Sequence, residues 1–193
     1  RTPLQHTKNG GYHFGCWNST IGYGYMIQRF IITGGPATGK SSIIEYFQQI
    51  GHPCFEEVSR GIIQEQNIQT SAKNFDFEAA VFQERKTQYL AAKKLHFYDR
   101  SMLDGLAYMK LQNIPIPQQM LTDLTTHRYE SKVFIAPAWE EIYHQDSERL
   151  ESFEEAIAID KSLREIYQSF GYELVEIPLT TVEERVKFIL SQI

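Results

Sequence analysis

Phe30-Ile31-Ile32-Thr33-Gly34-Gly35-Pro36-Ala37-Thr38-Gly39-Lys40-Ser41-Ser42 is the stretch on which the fold turns. Gly34 to Ser41 fits G-x-x-x-x-G-K-[ST], with an apolar strand-like run before it and the helical-looking Ser42-Ile43-Ile44-Glu45-Tyr46-Phe47 after it. Strand, glycine-rich turn and helix together give the pattern its physical meaning. The glycines let successive backbone N–H groups curl around an anion, and a helix beginning near Lys40 adds the positive end of its dipole. Gly34, Gly35, Pro36, Ala37, Thr38, Gly39, Lys40, Ser41 and Ser42 are therefore expected to cradle a polyphosphate. Lys40 would reach the β- and γ-phosphates as a point charge, and the Ser41 hydroxyl would complete the coordination of Mg²⁺.

Working outward, strands and helices alternate. Gly51 to Glu56 reads as a short second strand, with a helix from Glu57 to about Gln66. Phe75, Ala79, Phe82, Tyr89 and Leu90 share a helical face ahead of a third strand, Leu95 to Asp99. Ser101 to Leu111 is helical, another helix runs to about His127, and Lys132 to Ile135 is the fourth strand. Ser152 with Glu155 makes a capping box for a helix that Gly171 stops. Tyr172 to Ile177 is the fifth strand, and Thr181 with Glu184 repeats the capping box for a last helix. Such alternation means an α/β fold, a parallel sheet covered on both faces, with ligands at the carboxyl ends of the strands.

Those strand ends carry the chemistry. Asp99 closes the third strand beside the loop, where it can offer an oxygen to Mg²⁺ or to a metal-bound water. Arg100 next to it can meet an acceptor's phosphate or hydroxyl through its planar fork, or form a surface pair with Asp104. At the end of the second strand stand Glu56, Glu57 and Arg60. One carboxylate there, preferentially Glu57, could accept a proton from an acceptor hydroxyl, with Arg60 binding an acceptor anion. Adjacent residues of a strand cannot both face the site. The alternative is a helix start enriched in acids to suit its dipole. After the fourth strand, the polar, aromatic-punctuated stretch near 138–151 suits a lid. Its Arg149 either closes on the transferring phosphate or pairs with Asp146 or Glu148. Ile177 to Thr181 could contact adenine or simply connect two elements.

Bulk properties bound the partners. The chain has 193 residues, 42% hydrophobic and 22% charged, which suits one globular domain. A net charge of -5 offers no basic surface for a nucleic-acid polymer. No run approaches the ~18 apolar residues of a membrane span. Cys16 and Cys54 lack metal-ligand spacing, and a reducing cytoplasm fits. Residues 1–25 hold no acid and five glycines among aromatic residues without a period, so they are expected to be an extension, with the domain occupying 26–193.

From Met26 onward the segments TGGPATGKSS, FEEVSRGI, FYDRSMLDGLAY, APAWEEIYHQDSERLESFEEA and YELVEIPLTTVEERVKFIL resemble the AAA-ATPase-like P-loop domain family, which includes the ribosylnicotinamide-kinase domain of NadR. The resemblance implies a three-layer αβα P-loop NTPase fold, a five-stranded sheet of order 2-3-1-4-5, ATP and Mg²⁺ binding, and phosphoryl transfer to a small molecule. It points to Lys40, Glu57, Asp99 and Arg149 for catalysis, Arg60 and Arg100 for the acceptor, and Ser41 and Asp99 for the metal. No sensor helical domain or arginine-finger ring signature is seen, which argues against a hexameric remodelling machine. Two functions remain open. One is a kinase moving the γ-phosphate of ATP to the hydroxyl of a nucleoside-like acceptor; the other is a nucleotide-dependent ATPase switch with a protein partner. A GTPase is disfavoured because Ala136-Pro137-Ala138-Trp139 stands where N-K-x-D would follow the fourth strand.

Overall fold

The computed structural model describes residues 27–66, 74–143 and 151–193. Five strands, β1 (Arg29–Gly34), β2 (Cys54–Phe55), β3 (His96–Asp99), β4 (Lys132–Ala136) and β5 (Glu173–Glu176), form one sheet of order β2-β3-β1-β4-β5. Every pairing is parallel. Around it lie α1 (Lys40–Gln49), α2 (Ser59–Gln66), α3 (Phe75–Ala91), α4 (Met102–Leu111), α5 (Gln118–Thr126), α6 (Phe153–Ser169) and α7 (Val182–Ser191). The expected fold and strand order are those observed.

Burial on both faces explains why the central strands read as unbroken apolar runs. Successive residues alternate between two cores. Ile31, Tyr98 and Val133 face one core, with Phe82, Leu103, Leu106, Leu163 and Tyr167 from α3, α4 and α6. Phe30, Ile32, Phe97 and Phe134 face the other, with Ile43 and Phe47 of α1 and Val186 and Ile189 of α7. There the Phe47 and Phe97 rings stack at 4.0 Å.

Local signals hold where they depend on neighbours in sequence. The Ser152–Glu155 capping box forms both of its hydrogen bonds, and Gly171 stops α6 in the left-handed region. At the start of α7, Thr181 caps the Glu184 N–H as expected, and the Glu184 carboxylate takes the Thr180 and Thr181 hydroxyls in addition. Two expectations change. The second strand keeps two residues of the six anticipated, because this edge strand pairs only with β3 and only at Cys54 and Phe55. On α3, Phe75 and Leu90 are exposed, while Glu78, Val81, Phe82, Arg85 and Tyr89 are buried. The inward face thus contains two charged residues beside Ala79, Phe82 and Tyr89, which the apolar spacing placed on it, while Phe75 and Leu90 fall outside it. Residues 1–26 and 67–73 lie outside the described residues, as does the middle of the expected lid, 144–150; of the rest, 138–143 includes one short 3-10 turn, Glu140–Ile142.

Candidate active site

The sheet order places the loop between β1 and α1 at the centre of the carboxyl edge. Gly34 sits where β1 runs against β4, and a Cβ there would overlap the Ala136 carbonyl oxygen. Ala37 and Gly39 adopt positive φ, 55° and 77°, so the chain curls as an anion-binding nest requires. Gly39 caps α1 with no side-chain hydrogen bond, and no acid stands in the first turn. The positive end of α1 is therefore claimed by no carboxylate of its own.

Lys40 folds over this nest. Its Nζ donates to the Gly35 carbonyl oxygen at 2.6 Å and to Thr38 Oγ1 at 3.1 Å. Burial, with the positive charge of Arg100 adding, pulls the ammonium down to about 7 against the opposing pull of Asp99, Glu57 and Asp104. The lysine thus lies buried over the nest, held by a carbonyl and a hydroxyl of the loop itself. Ser41 and Ser42 are exposed at the helix start, and Pro36 is half-buried.

Asp99 pairs in register with Ile32, which brings it beside the loop. It is 4% exposed and its Oδ1 accepts no hydrogen bond. Burial pushes its carboxyl up to about 6, with Lys40 opposing. A buried carboxylate oxygen without a hydrogen bond among the described residues, on the strand end beside the loop that carries Ser41, fits a hard cation that takes few protein oxygens and completes its shell with phosphate and water. Ser41 and Asp99 are the residues that would hold Mg²⁺.

Arg100 follows in the left-handed region, φ 71°, an uncommon conformation for a non-glycine residue. Its Nη1 donates to the Gly34 carbonyl at 3.0 Å and to Asp104 Oδ1 at 3.3 Å, and its Nε pairs with Glu57 Oε2. The arginine thus joins the phosphate loop, the third strand and the end of the second. Its partner Asp104 is fully buried, not a surface acid. Asp104 accepts from Thr33 Oγ1 at 2.6 Å, the Ser101 N–H at 2.9 Å and the Tyr167 hydroxyl at 2.5 Å. With Ser101 it forms a capping box for α4, a Ser-x-x-Asp signal present in the sequence but not used above.

Of the two glutamates, Glu57 turns inward and Glu56 is exposed, bonding Gln48 at 2.9 Å. Glu57 accepts from Arg85 Nη2 at 2.9 Å and from the Ser59 hydroxyl and N–H at 2.6 and 3.1 Å. Burial alone would raise its carboxyl, but Arg85, Arg100 and Ser59 together hold it far below the usual range. Arg85, which sequence reading missed, also donates to the Ser101 carbonyl at 3.1 Å. Seven residues before it on the same face of α3, Glu78 is 5% exposed with no hydrogen bond or ion pair among the described residues, and burial pushes its carboxyl up to about 7. Opposite charges spaced i, i+7 inside an apolar stripe were the one signal that could have revealed this pair. Arg60 belongs to α2, but its side chain lies outside the described residues, as does all of Arg149.

The parallel five-stranded sheet, the nest and the strand-end charges define a P-loop protein with a kinase-type strand order. A family model described as AAA domain matches residues 29–185, and the chain belongs to that family. No curated protein matches it by sequence. Among solved structures, deoxyadenosine kinase from M. mycoides with bound dATP is similar at 19% identity and TM-score 0.63, over 86% of this chain and 98% of that one. The NadR protein in complex with NR gives 17% identity and TM-score 0.69, over 86% of this chain and 51% of that one. Shikimate kinase from Aquifex aeolicus gives 14% and 0.52, over 86% and 95%. These likenesses are likenesses of fold. Among the described residues no helix is long and apolar enough to cross a membrane.

Proposed function

We propose that the protein is a small-molecule kinase that transfers the γ-phosphoryl group of ATP to a hydroxyl of a nucleoside-like acceptor. The observation that carries this reading is the Glu57–Arg100–Gly34 chain of contacts, which fastens an acceptor-side carboxylate to the phosphate loop itself. A carboxylate fixed at the end of the second strand suits an acceptor hydroxyl entering from that side. Lys40 would exchange the Gly35 carbonyl for the β- and γ-phosphates. Mg²⁺ held through Ser41 and Asp99 would neutralise charge on the phosphates, and Arg149 would close on the transferring group.

Glu57, kept ionised by two guanidiniums, is a weak base. Its task is to accept a hydrogen bond from the acceptor hydroxyl and align it, taking the proton late, as a loose transition state permits. Arg100 lies on the same side, and Arg60 would bind an acceptor anion there. The family's neighbours named above act on nucleosides or on a hydroxy acid by their printed names, which fits an acceptor of this size.

The test is ADP release from purified protein with Mg-ATP against a panel of nucleosides, nucleotides and hydroxy acids. One acceptor class should raise turnover by at least about 10²-fold over hydrolysis alone, the span that positioning and proton transfer supply. Uniformly low turnover with every acceptor, together with a protein partner captured only in the ATP state, would replace this reading with the switch.

A further inference from the structure

Arg185 is 1% exposed, the largest fully buried side chain among the described residues, and it lies near the start of α7. Buried guanidiniums are ordinarily paired with carboxylates, because an unpaired buried charge is strongly destabilising. The two other buried arginines obey this: Arg85 and Arg100 share Glu57, and Arg100 adds Asp104. Arg185 does not. Among the described residues no carboxylate pairs with it. Nη2 donates to the Thr38 carbonyl at 3.0 Å, and Nε is buried without a partner. The acids beside it are engaged elsewhere, Glu183 with Lys187 and Glu184 with Thr180 and Thr181. A cation near the start of a helix also opposes the positive end of the helix dipole.

Its place says where the missing counter-charge comes from. Nη1 is 2.8 Å from where a Cβ on Gly39 would stand, so the guanidinium forms the wall of the phosphate loop at the start of α1. The Trp139 ring, just beyond β4, lies 5.8 Å from its Cζ. In the sheet, β4 and β5 lie on one side of β1, and β3 and β2, with Glu57 and Arg100, lie on the other. Arg185 therefore stands on the side away from the acceptor. Lys40 Nζ lies over the loop on Gly35 and Thr38; if it meets the β- and γ-phosphates, as the proposed function has it, the phosphate left for a cation on the far side is the one joined to the nucleoside.

We propose that Arg185 is a nucleotide-binding residue whose counter-ion is the α-phosphate of the bound nucleotide, seated against Gly39 and Trp139. This rests on the reading that the loop binds ATP. Without nucleotide the guanidinium has the Thr38 carbonyl and the Trp139 ring beside it but no carboxylate among the described residues; binding supplies the anion.

The experiment is calorimetric titration of the full chain and of Arg185→Met and Arg185→Lys with adenosine, AMP, ADP and ATP, alongside thermal unfolding without ligand. Met keeps the stem and removes the charge. ADP and ATP should weaken by one common factor, roughly 10- to 100-fold for a lost charge-assisted hydrogen bond. AMP should weaken likewise, adenosine should not, and Arg185→Lys should fall between. The ligand-free Tm of Arg185→Met should stay level or rise, since an unpaired buried charge has gone. Unchanged ADP affinity, an equal loss on adenosine, or a fall in ligand-free Tm that accounts for the loss would each overturn the assignment. Failure of wild-type protein to bind ATP at all would overturn the kinase reading first, and this one with it.

Discussion

Two guanidiniums on one carboxylate make Glu57 as much a keystone as a reacting group. Substituting Glu57→Gln leaves Arg85 and Arg100 with less compensation in a buried site, so stability should fall by on the order of 3 kcal/mol while acceptor phosphorylation falls roughly 10²-fold or more. Denaturant unfolding and steady-state kinetics on the same preparation read both. A catalytic loss with unchanged stability would mean that the arginines find other partners. Glu78 behaves oppositely. Its carboxyl is raised from the ordinary 4.5 to about 7, so the folded state resists its ionisation, and stability is lost as pH rises through that interval. Glu78→Gln has no charge to develop. The variant should match wild type near pH 4.5 and exceed it at pH 8, by on the order of 3 kcal/mol at most. Parallel pH dependences would show that Glu78 finds a partner in solution.

Among the elements, the closest tolerance is between β1 and β4. Gly34 combines a φ of 143° with the Ala136 carbonyl directly against it, and Arg100 bonds the Gly34 oxygen from the other side. A methyl group cannot enter without parting the strands. Gly34→Ala should destabilise by more than about 4 kcal/mol, the range that marks a named steric failure rather than a surface change, and soluble yield with thermal unfolding would reveal it. A variant that melts like wild type would place the strands farther apart than they stand here. The α3 helix teaches a related lesson. Its buried face is partly polar because Glu78 and Arg85 look toward the site, so apolar spacing alone selects the exposed Phe75 and Leu90.

At the scale of the whole molecule, two cores clamp one sheet, and the site lies along the seam at its carboxyl edge. The loop's N–H groups and the first turn of α1 have no carboxylate of their own, which on the proposed reading suits a polyanion. Nucleotide should therefore stabilise the entire fold by linkage. With Mg-ATP at about 100 times its Kd, the gain is about 2.7 kcal/mol, or roughly 5–10 °C in Tm for a domain of this size. Lys40→Met should lose most of that shift. A wild-type Tm indifferent to ATP would remove nucleotide from the ligands of this loop.

What the amino-acid sequence determined by itself is whatever depends on near neighbours. The phosphate loop, the Ser152–Glu155 box, the Gly171 stop and the alternation that makes a parallel sheet all rest on backbone conformations and hydrogen bonds within a few residues. Asp99 and Glu57 were legible too, because strand ends in such a sheet face the ligand. Only the tertiary structure decided how those charges are used. Arg85 meets Glu57 across 28 positions, Thr33 meets Asp104 across 71, and Arg185 meets Thr38 across 147. Such contacts join side chains whose spacing along the chain carries no period. They form because burial forces each polar group to find a partner wherever the fold brings one, and the fold brings those partners from sequence distances that no local pattern encodes.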